Sequence, residues 1–392
     1  MYLCRMRYLW QHIFSILDTY NNAVPLHYYL KQYYRQHPKL GSRDRRGISD
    51  AVYAWYRCGK AFGKDGKARE EQVLAALFLC NLPAKALQKH FPESWADQWA
   101  QPVAGKICFL QSTGFIIDLG LIFPADVPFS EGIDKEEWIT SMLRQPDLFL
   151  RIRKDRQRTE QLLRQQEIPF HWLNEHCLAL PNGAAIDTVL PADSYVIQDA
   201  SSQATGTFFD PAPGTEWWDC CSGAGGKSLL LKDIEPSVRL TSSDVRETIL
   251  HNLRDRFRQY HLTVPHTLVV DAADEKSIKK TLSQSRFDGI ISDVPCTGAG
   301  TWARTPEQLY FFDPAQIAVY AQRQEAILRN ALDHVKEGGK LVYITCSVFR
   351  DENENVVEKI CVEKGFIIHK MQLVNGISHK ADCLFAAVLA KQ

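Results

Sequence analysis

Two cysteines stand in surroundings that suit nucleophilic chemistry: Cys296 within Asp293-Val-Pro-Cys-Thr-Gly-Ala-Gly300, and Cys346 within Thr345-Cys-Ser347. Each follows an apolar run, Phe287-Asp-Gly-Ile-Ile-Ser292 in the first case and Leu341-Val-Tyr-Ile344 in the second. If these runs are neighbouring strands of a parallel sheet, both thiols emerge on one carboxyl edge, where open α/β sheets bind ligands. A free cysteine is ordinarily a small buried hydrophobe, but two at one such edge, one of them beside Asp293 and Pro295, favour chemistry over packing. Carbon 5 of a pyrimidine is a poor nucleophile. Addition of a thiolate to carbon 6 turns it into an enamine that can accept a methyl group, and covalent catalysis of this kind divides one hard step into easier ones. The thiolate leaves only after a proton is taken from carbon 5, so a second group beside the nucleophile has a definite task. Asp293 can hydrogen-bond ring nitrogen 3, and Lys227 can help to hold a thiolate. The chemistry alone does not assign which cysteine attacks.

A second motif lies upstream. The predicted strand Trp217-Trp-Asp-Cys-Cys221 runs into Ser222-Gly-Ala-Gly-Gly-Lys-Ser228, and Leu229-Leu-Leu opens a helix. A P-loop needs a glycine five residues before Gly226, where Cys221 stands. A dinucleotide turn counted from Gly223 meets Ser228 where its third glycine belongs. S-adenosylmethionine remains, because it needs a tight glycine turn but no pyrophosphate cradle. The candidate turn comprises Cys221, Ser222, Gly223, Ala224, Gly225, Gly226 and Lys227. Asp244, at the end of the second predicted strand, can accept both ribose hydroxyls, and Asp271 ends the third; taken singly, either can instead be a helix N-cap. Cys220 and Cys221, adjacent in a strand, are expected on opposite faces, which argues against a shared zinc site. No metal is expected.

The elements that must position these residues form a regular series. Predicted strands Trp217–Cys221, Val238–Ser242, Thr267–Val270, Phe287–Ser292, Lys340–Thr345, Phe366–Leu373 and Cys383–Ala390 alternate with amphipathic helical stretches, the pattern of a seven-stranded, doubly wound parallel sheet in an α/β fold. Before it, Leu148-Phe-Leu-Arg-Ile-Arg153, Arg158–Gln166, Phe170-His-Trp and Leu178-Ala-Leu predict a small α+β module over residues 146–196. Earlier still, Ile13, Ile16 and Leu17, then Val52, Ala54, Trp55 and Tyr56, then Val73, Leu74, Leu77 and Phe78 recur at helical spacing. The expected division is a helical domain over 1–145, the module over 146–196 and the catalytic domain over 197–392.

Composition narrows the class. The chain has 392 residues, 46 basic and 46 acidic, but residues 1–100 hold 15 basic and 8 acidic, leaving the remainder net negative. The basic cluster Lys31, Arg35, Lys39, Arg43, Arg45 and Arg46 is interleaved with Tyr28, Tyr29, Tyr33 and Tyr34, a mixture suited to phosphate contact and base stacking, or equally to a solvated helix face over buried tyrosines. No apolar run approaches the ~18 residues that span a bilayer, the N-terminus with Arg5 and Arg7 lacks the apolar core of a secretory signal, and the odd total of eleven cysteines fits reduced thiols. A soluble, cytoplasmic, monomeric protein is expected.

Taken together, Gln198-Asp-Ala-Ser-Ser-Gln203, Asp219-Cys-Cys-Ser-Gly-Ala-Gly-Gly-Lys227, Asp293-Val-Pro-Cys296 and Thr345-Cys-Ser347 followed by Glu352-Asn-Glu354 resemble the RsmB/Nop/Sun family of RNA cytosine-5 methyltransferases. The resemblance covers about residues 148–392. Residues 1–145, including Gly41-Ser-Arg-Asp-Arg-Arg46, are more loosely similar to the NusB-like RNA-binding extension of the RsmB branch. The resemblance implies a Rossmann-like class I domain using S-adenosylmethionine, Cys346 as nucleophile, Cys296 as the residue that assists release, and a cofactor site formed by Cys221 to Lys227, Asp244, Asp271 and Asp293. It also implies a ferredoxin-like, RNA-contacting module. Arg151, Arg153, Lys154, Gln198, Ser201 and Arg304 are the candidate RNA contacts. One departure is Ala224, where the family's turn carries proline.

The implied substrate is RNA, ribosomal before transfer RNA. A DNA cytosine methyltransferase would attack with the Pro-Cys cysteine and follow it with Gln, where Thr297 stands. A silent RNA-binding or ribosome-assembly factor would have no use for the complete chemical set, and a small-molecule methyltransferase would leave the basic extension and both cysteines without a role.

Overall fold

The computed structural model describes residues 2–64 and 66–391, with side chains from Tyr8 onward, so Cys4, Arg5 and Arg7 lie outside the described side chains. The chain forms two compact units, one of residues up to Asp126 with Asp134–Gln145 and Trp302–Pro314, the other of Val127–Ile133, Pro146–Thr301 and Ala315 onward. Two short stretches thus depart from the division expected from sequence.

The first unit is helical: α1 (Tyr2–Thr19), α2 (Leu26–Gln36), α3 (Ser42–Cys58), α4 (Arg69–Leu79), α5 (Val103–Ser112) and α6 (Lys135–Met142). The apolar spacing read from sequence is its core, with Ile13, Ile16, Val52, Ala54, Val73, Leu77 and Phe78 buried. Arg57 is buried among them and its guanidinium donates to Met142 O at 2.7 Å and Gln145 Oε1 at 2.7 Å, tying the end of α6 to α3. Segment 302–314 belongs to this unit because Glu307 is buried in it, its Oε1 accepting the Leu26 N–H at the start of α2.

The second unit begins with β1 (Leu148–Ile152), α7 (Arg156–Gln165), β2 (His171–Trp172), β3 (Cys177–Leu180) and β4 (Tyr195–Ile197), an antiparallel sheet in the order β2-β3-β1-β4. This is the split βαβ order, with a single 3₁₀ turn at Ile186–Thr188 where a second helix would lie. There follow α8 (Ala200–Ala204), β5 (Glu216–Asp219), α9 (Gly226–Ile234), β6 (Arg239–Asp244), α10 (Glu247–Gln259), β7 (His266–Val269), α11 (Glu275–Leu282), β8 (Phe287–Asp293), α12 (Pro306–Tyr310, in the first unit), α13 (Ala315–Leu332), β9 (Val335–Thr345), α14 (Glu354–Lys364), β10 (Phe366–Asn375) and β11 (Cys383–Lys391).

All seven expected strands form one sheet in the order β10-β11-β9-β8-β5-β6-β7. It is parallel from β7 to β9, but β11 pairs antiparallel with both β9 and β10. The expectation of an all-parallel sheet is corrected there, because the link from Asn375 to Cys383 is too short for a crossover helix and permits only a reversal. Side chains alternate across the sheet. Trp218, Ile290, Leu341 and Phe385 pack with α11, α13 and α14 on one face, and Trp217, Ile291, Val342 and Leu384 pack with α9 and α10 on the other.

The α+β module is fastened to this sheet domain by charge. Arg151 on β1 pairs with Asp233 of α9, and Arg153 Nη2 lies 2.9 Å from the same carboxylate, with side-chain exposures of only 6% and 8% for the two arginines. Removing the shared anion leaves two guanidiniums desolvated without a counter-charge, and breaking a buried pair from one side costs about 3–5 kcal/mol. Asp233→Ala should therefore lower the unfolding free energy by about 3 kcal/mol in urea denaturation; a loss below about 1 kcal/mol would show that the clamp is solvated.

Candidate functional site

The five parallel strands end on one edge, and the expected catalytic and cofactor residues sit at the last residue of one of them, in the loop that follows it or at the start of the next helix. After β5 the chain turns through Ser222 to Gly226, with Gly225 N–H donating to Ser222 O at 2.8 Å. Gly225 has φ +82° and a Cβ there would lie 2.8 Å from Leu253, so a side chain is excluded both by conformation and by space. Gly223 donates its N–H to Asp244 Oδ2 at 3.1 Å, which joins the turn to the end of β6.

Beside this turn is a cavity of about 320 Å³ lined by Cys221, Gly223, Asp244, Asp271, Asp293 and Pro295, among others. Ser222, Ala224, Gly225 and Gly226 shape the turn rather than the cavity wall. Two arginines that sequence reasoning passed over also line it. Arg246 Nε donates to Asp244 Oδ1 at 3.0 Å, and Arg323 of α13 lies 3.3 Å from Asp271 Oδ1. Both aspartates accept the N–H two residues on, at Arg246 and Ala273, but neither is the helix N-cap weighed from sequence, since those positions are Arg246 for α10 and Asp274 for α11. Cys220 and Cys221 are not on opposite faces as expected. Strand β5 ends at Asp219, so both lie in the turn, with sulfurs 4.0 Å apart. Among the described residues no group of three His, Cys, Asp or Glu could hold a metal ion.

Further along the edge, the loops after β8 and β9 bring the two cysteines together. Cys296 and Cys346 have sulfurs 3.2 Å apart, and the Cys346 N–H points at Cys296 Sγ from 3.3 Å. Gly300 lets the loops meet: its N–H donates to Cys346 O at 2.8 Å, and a Cβ there would fall 1.9 Å from Cys383 O. The hydrogen bond with Cys346, burial, and the charges of Cys346 and Glu352 push the Cys296 thiol well above its ordinary value. Lys227 is buried, 3.2 Å from Asp293 Oδ2 and 2.8 Å from Ser202 Oγ.

The expected RNA contacts are placed differently. Arg151 and Arg153 are spent on Asp233, and this overturns their reading as phosphate ligands. Gln198 is buried, accepting from Arg151 Nε at 2.8 Å and donating to Ser202 Oγ at 3.2 Å. Ser201 is buried too. Both are thus structural, since a buried side chain cannot reach a polyanion. Lys154 is exposed, paired with Asp193 at 2.5 Å, and Arg304 is half-buried in segment 302–314. In the helical unit Lys31, Arg35, Lys39, Arg43 and Arg46 are exposed, as is Tyr28, whereas Tyr33 is buried and Tyr34 is held by Ser49.

Residues 206–378 match the family model described as 16S rRNA methyltransferase RsmB/F. The match covers less than half of the chain, and over this segment the chain is similar to that family. Over 181 residues the chain is 31% identical to ribosomal RNA small subunit methyltransferase B of Escherichia coli O6:K15:H31, covering 44% of this chain and 41% of that protein. It is 32% identical over 168 residues to the probable ribosomal RNA small subunit methyltransferase B of Bacillus subtilis, covering 43% and 37%. The chain thus spans about two fifths of the length of the curated relatives it matches. The crystal structure of PH0851 superposes with a TM-score of 0.66 at 18% identity, covering 92% of this chain and 93% of that one. NSun6 from Pyrococcus horikoshii gives 0.57 at 15% identity, covering 65% and 94%, and both likenesses are of fold.

Sequence reasoning gave no role to one fully buried acid of this segment. Asp219 is fully buried beneath the turn, with Oδ2 accepting from Ser228 Oγ at 2.6 Å and Oδ1 without a partner. Burial, reinforced by the charge of Asp293, raises its carboxyl from 3.8 to about 7 against the opposing bond from Ser228. The folded state therefore holds this proton more tightly than the unfolded chain. The stability linked to it is full below 3.8 and is lost as pH rises toward about 7. Asp219→Asn removes the titration, so the difference in melting temperature between wild type and variant should change steadily across that window; a constant difference would contradict the assignment.

Proposed function

We propose that this protein transfers a methyl group from S-adenosylmethionine to carbon 5 of a cytidine in RNA, with small-subunit ribosomal RNA as the substrate its curated relatives' names suggest. The observation that carries the reading is the pair of half-buried sulfurs 3.2 Å apart at the carboxyl edge, next to a cavity lined by Asp293, Val294 and Pro295 immediately before Cys296. The residues present fit the cofactor. The cavity, at about 320 Å³, lies within the range of small-molecule sites, and Gly223 offers its wall an open position where even a Cβ would meet nothing within 4 Å. Cys221, Gly223, Asp244 and Asp271 would hold the cofactor, and when bound it supplies the electrophilic methyl group. Asp244 already receives bonds from Gly223 and Arg246, so a ribose diol requires Arg246, whose side chain is 63% exposed, to swing aside.

The chain's own residues then divide the work. The target base must leave its stack to reach the edge. Cys346, as thiolate, forms a bond to carbon 6 while the ring electrons shift toward carbon 5. Asp293, held by Lys227, faces the ring at nitrogen 3. Cys296 keeps its proton because its thiol is pushed up, and its S–H lies against Cys346, where it balances the charge of the attacking or departing sulfur. Once a base from solvent takes the carbon 5 proton, the C–H electron pair re-forms the carbon 5–carbon 6 double bond, the Cys346 sulfur leaves carbon 6 as a thiolate, and carbon 5 remains methylated. The exposed basic residues of the helical unit would supply the salt-dependent grip on phosphates.

Cys346→Ala should bind RNA and S-adenosylmethionine but transfer no methyl group, and Cys296→Ala should accumulate a covalent protein–RNA adduct on denaturing gels. Methyl transfer to bulk RNA with bisulfite mapping is the direct assay. Full activity of Cys346→Ala would overturn the reading, and absence of any adduct with Cys296→Ala would remove Cys296 from the release step.

A further inference from the structure

The segment Glu352-Asn-Glu354 opens α14 and touches no part of the cavity, yet all three side chains are buried. Glu352 is 0% exposed, and four donors converge on its carboxylate. Oε1 accepts Thr297 N–H at 2.9 Å and Gln324 Nε2 at 3.0 Å. Oε2 accepts Thr297 Oγ1 at 2.5 Å and Ser347 Oγ at 2.5 Å. A carboxylate offers about four lone-pair sites, so this one is saturated. Thr297 and Ser347 are the residues that directly follow Cys296 and Cys346. One carboxylate therefore grips both cysteine loops, each a single residue away from the sulfur. Asn353 braces the second loop, accepting Thr345 Oγ1 at 2.5 Å and donating to Ser347 O at 3.0 Å, and Glu354 anchors the segment to Ser130 at 2.9 Å.

We propose that Glu352 is the positioning residue of the cysteine pair: it sets the distance between the two sulfurs and, by its charge, keeps Cys296 protonated, so that Cys346 alone is the attacking thiolate. Geometry carries the first half. The sulfurs sit on loops from different strands; besides the Gly300 to Cys346 and Cys346 to Cys296 bonds, Thr297 Oγ1 and Ser347 Oγ lie 3.3 Å apart, and the shared carboxylate accepts from both hydroxyls and so sets that spacing. The second half follows from what faces Cys296. These groups are the Cys346 thiol, the Glu352 carboxylate and the Tyr343 phenol, whose hydroxyl donates to Glu352 O at 2.7 Å, with the Asp293–Lys227 pair at the end of β8. Lys227 is already matched by Asp293, and the net field at Cys296 disfavours a second thiolate.

The assignment to attack rests on the methyltransferase reading above, whereas the positioning does not, so the test has two arms. In the first, iodoacetamide alkylation of the whole protein is followed by peptide mass spectrometry across pH, without RNA or cofactor. Glu352→Gln keeps an acceptor and a donor in place but removes the charge. Cys296 alkylation at neutral pH should rise by roughly tenfold, with its midpoint about one pH unit lower, while the melting temperature changes little. In the second arm, Thr297→Val and Ser347→Ala each cut one leg of the grip. Each should lower kcat for RNA methylation by roughly 10- to 100-fold, with S-adenosylmethionine affinity by calorimetry unchanged. An unaltered Cys296 alkylation profile in Glu352→Gln would overturn the charge role, and wild-type kcat in both leg variants would overturn the positioning role. If wild-type protein methylates no cytidine, the proposed function fails, and the alkylation arm still decides what Glu352 does to the thiols.

Discussion

The structure depends on one constraint of parallel sheets: a strand, a helix and a second parallel strand can connect only through a right-handed crossover, which delivers every strand's carboxyl end to the same edge. Here this aligns five loops, after β5, β6, β7, β8 and β9. The register then decides which loops touch. Asp293 pairs with Ile344 between β8 and β9, so Cys296, three residues past the first, and Cys346, two past the second, converge although fifty positions separate them in sequence. The antiparallel strands β11 and β10 close the side beyond β9, make β9 an interior strand, and supply the Cys383 carbonyl against which Gly300 must fit.

The edge gathers acids that would repel one another, and the fold answers each locally. Asp244, Asp271 and Asp293 face Arg246, Arg323 and Lys227 respectively. The more deeply buried carboxylates, Glu352 and Glu354, are met by neutral donors. A buried ion pair must recover the desolvation of two charges, and a carboxylate saturated by hydroxyl and amide donors has only its own to recover. That choice leaves the site net negative. The compensating excess of base lies in residues 1–100, so the balanced total of 46 and 46 describes neither part of the chain.

What was legible in the sequence follows from how local each signal is. Strands announce themselves by apolar runs between turn residues, and all seven were found, as were the helical spacing of the first unit and the loops bearing Cys296 and Cys346. The antiparallel end was missed because the direction of a strand is set by its connection rather than by its composition. Arg151, Arg153 and Gln198 were misread for a related reason. Basic and amide side chains look alike whether they face solvent or a partner, and Asp233, about eighty residues away, carries no mark in sequence of pairing with them. Glu352 was visible only as part of a motif; its role depends on Thr297, Ser347 and Gln324 meeting in space.

The same misread residues form a continuous line into the site. Arg151 donates to Gln198, Gln198 to Ser202, and Lys227 also donates to Ser202 while pairing with Asp293. Each link fixes the rotamer of the next, so the α+β module reaches the reactive edge through hydrogen bonds. The turn between them shows a comparable substitution of means. A proline at position 224 would fix φ by its ring, whereas Ala224 leaves that torsion free. Its carbonyl is instead caught by Arg256 Nη1 of α10 at 2.7 Å. Rigidity that a ring would build into the chain is supplied here by a charged donor on a neighbouring helix, which places the geometry of the glycine turn under the control of how α10 packs.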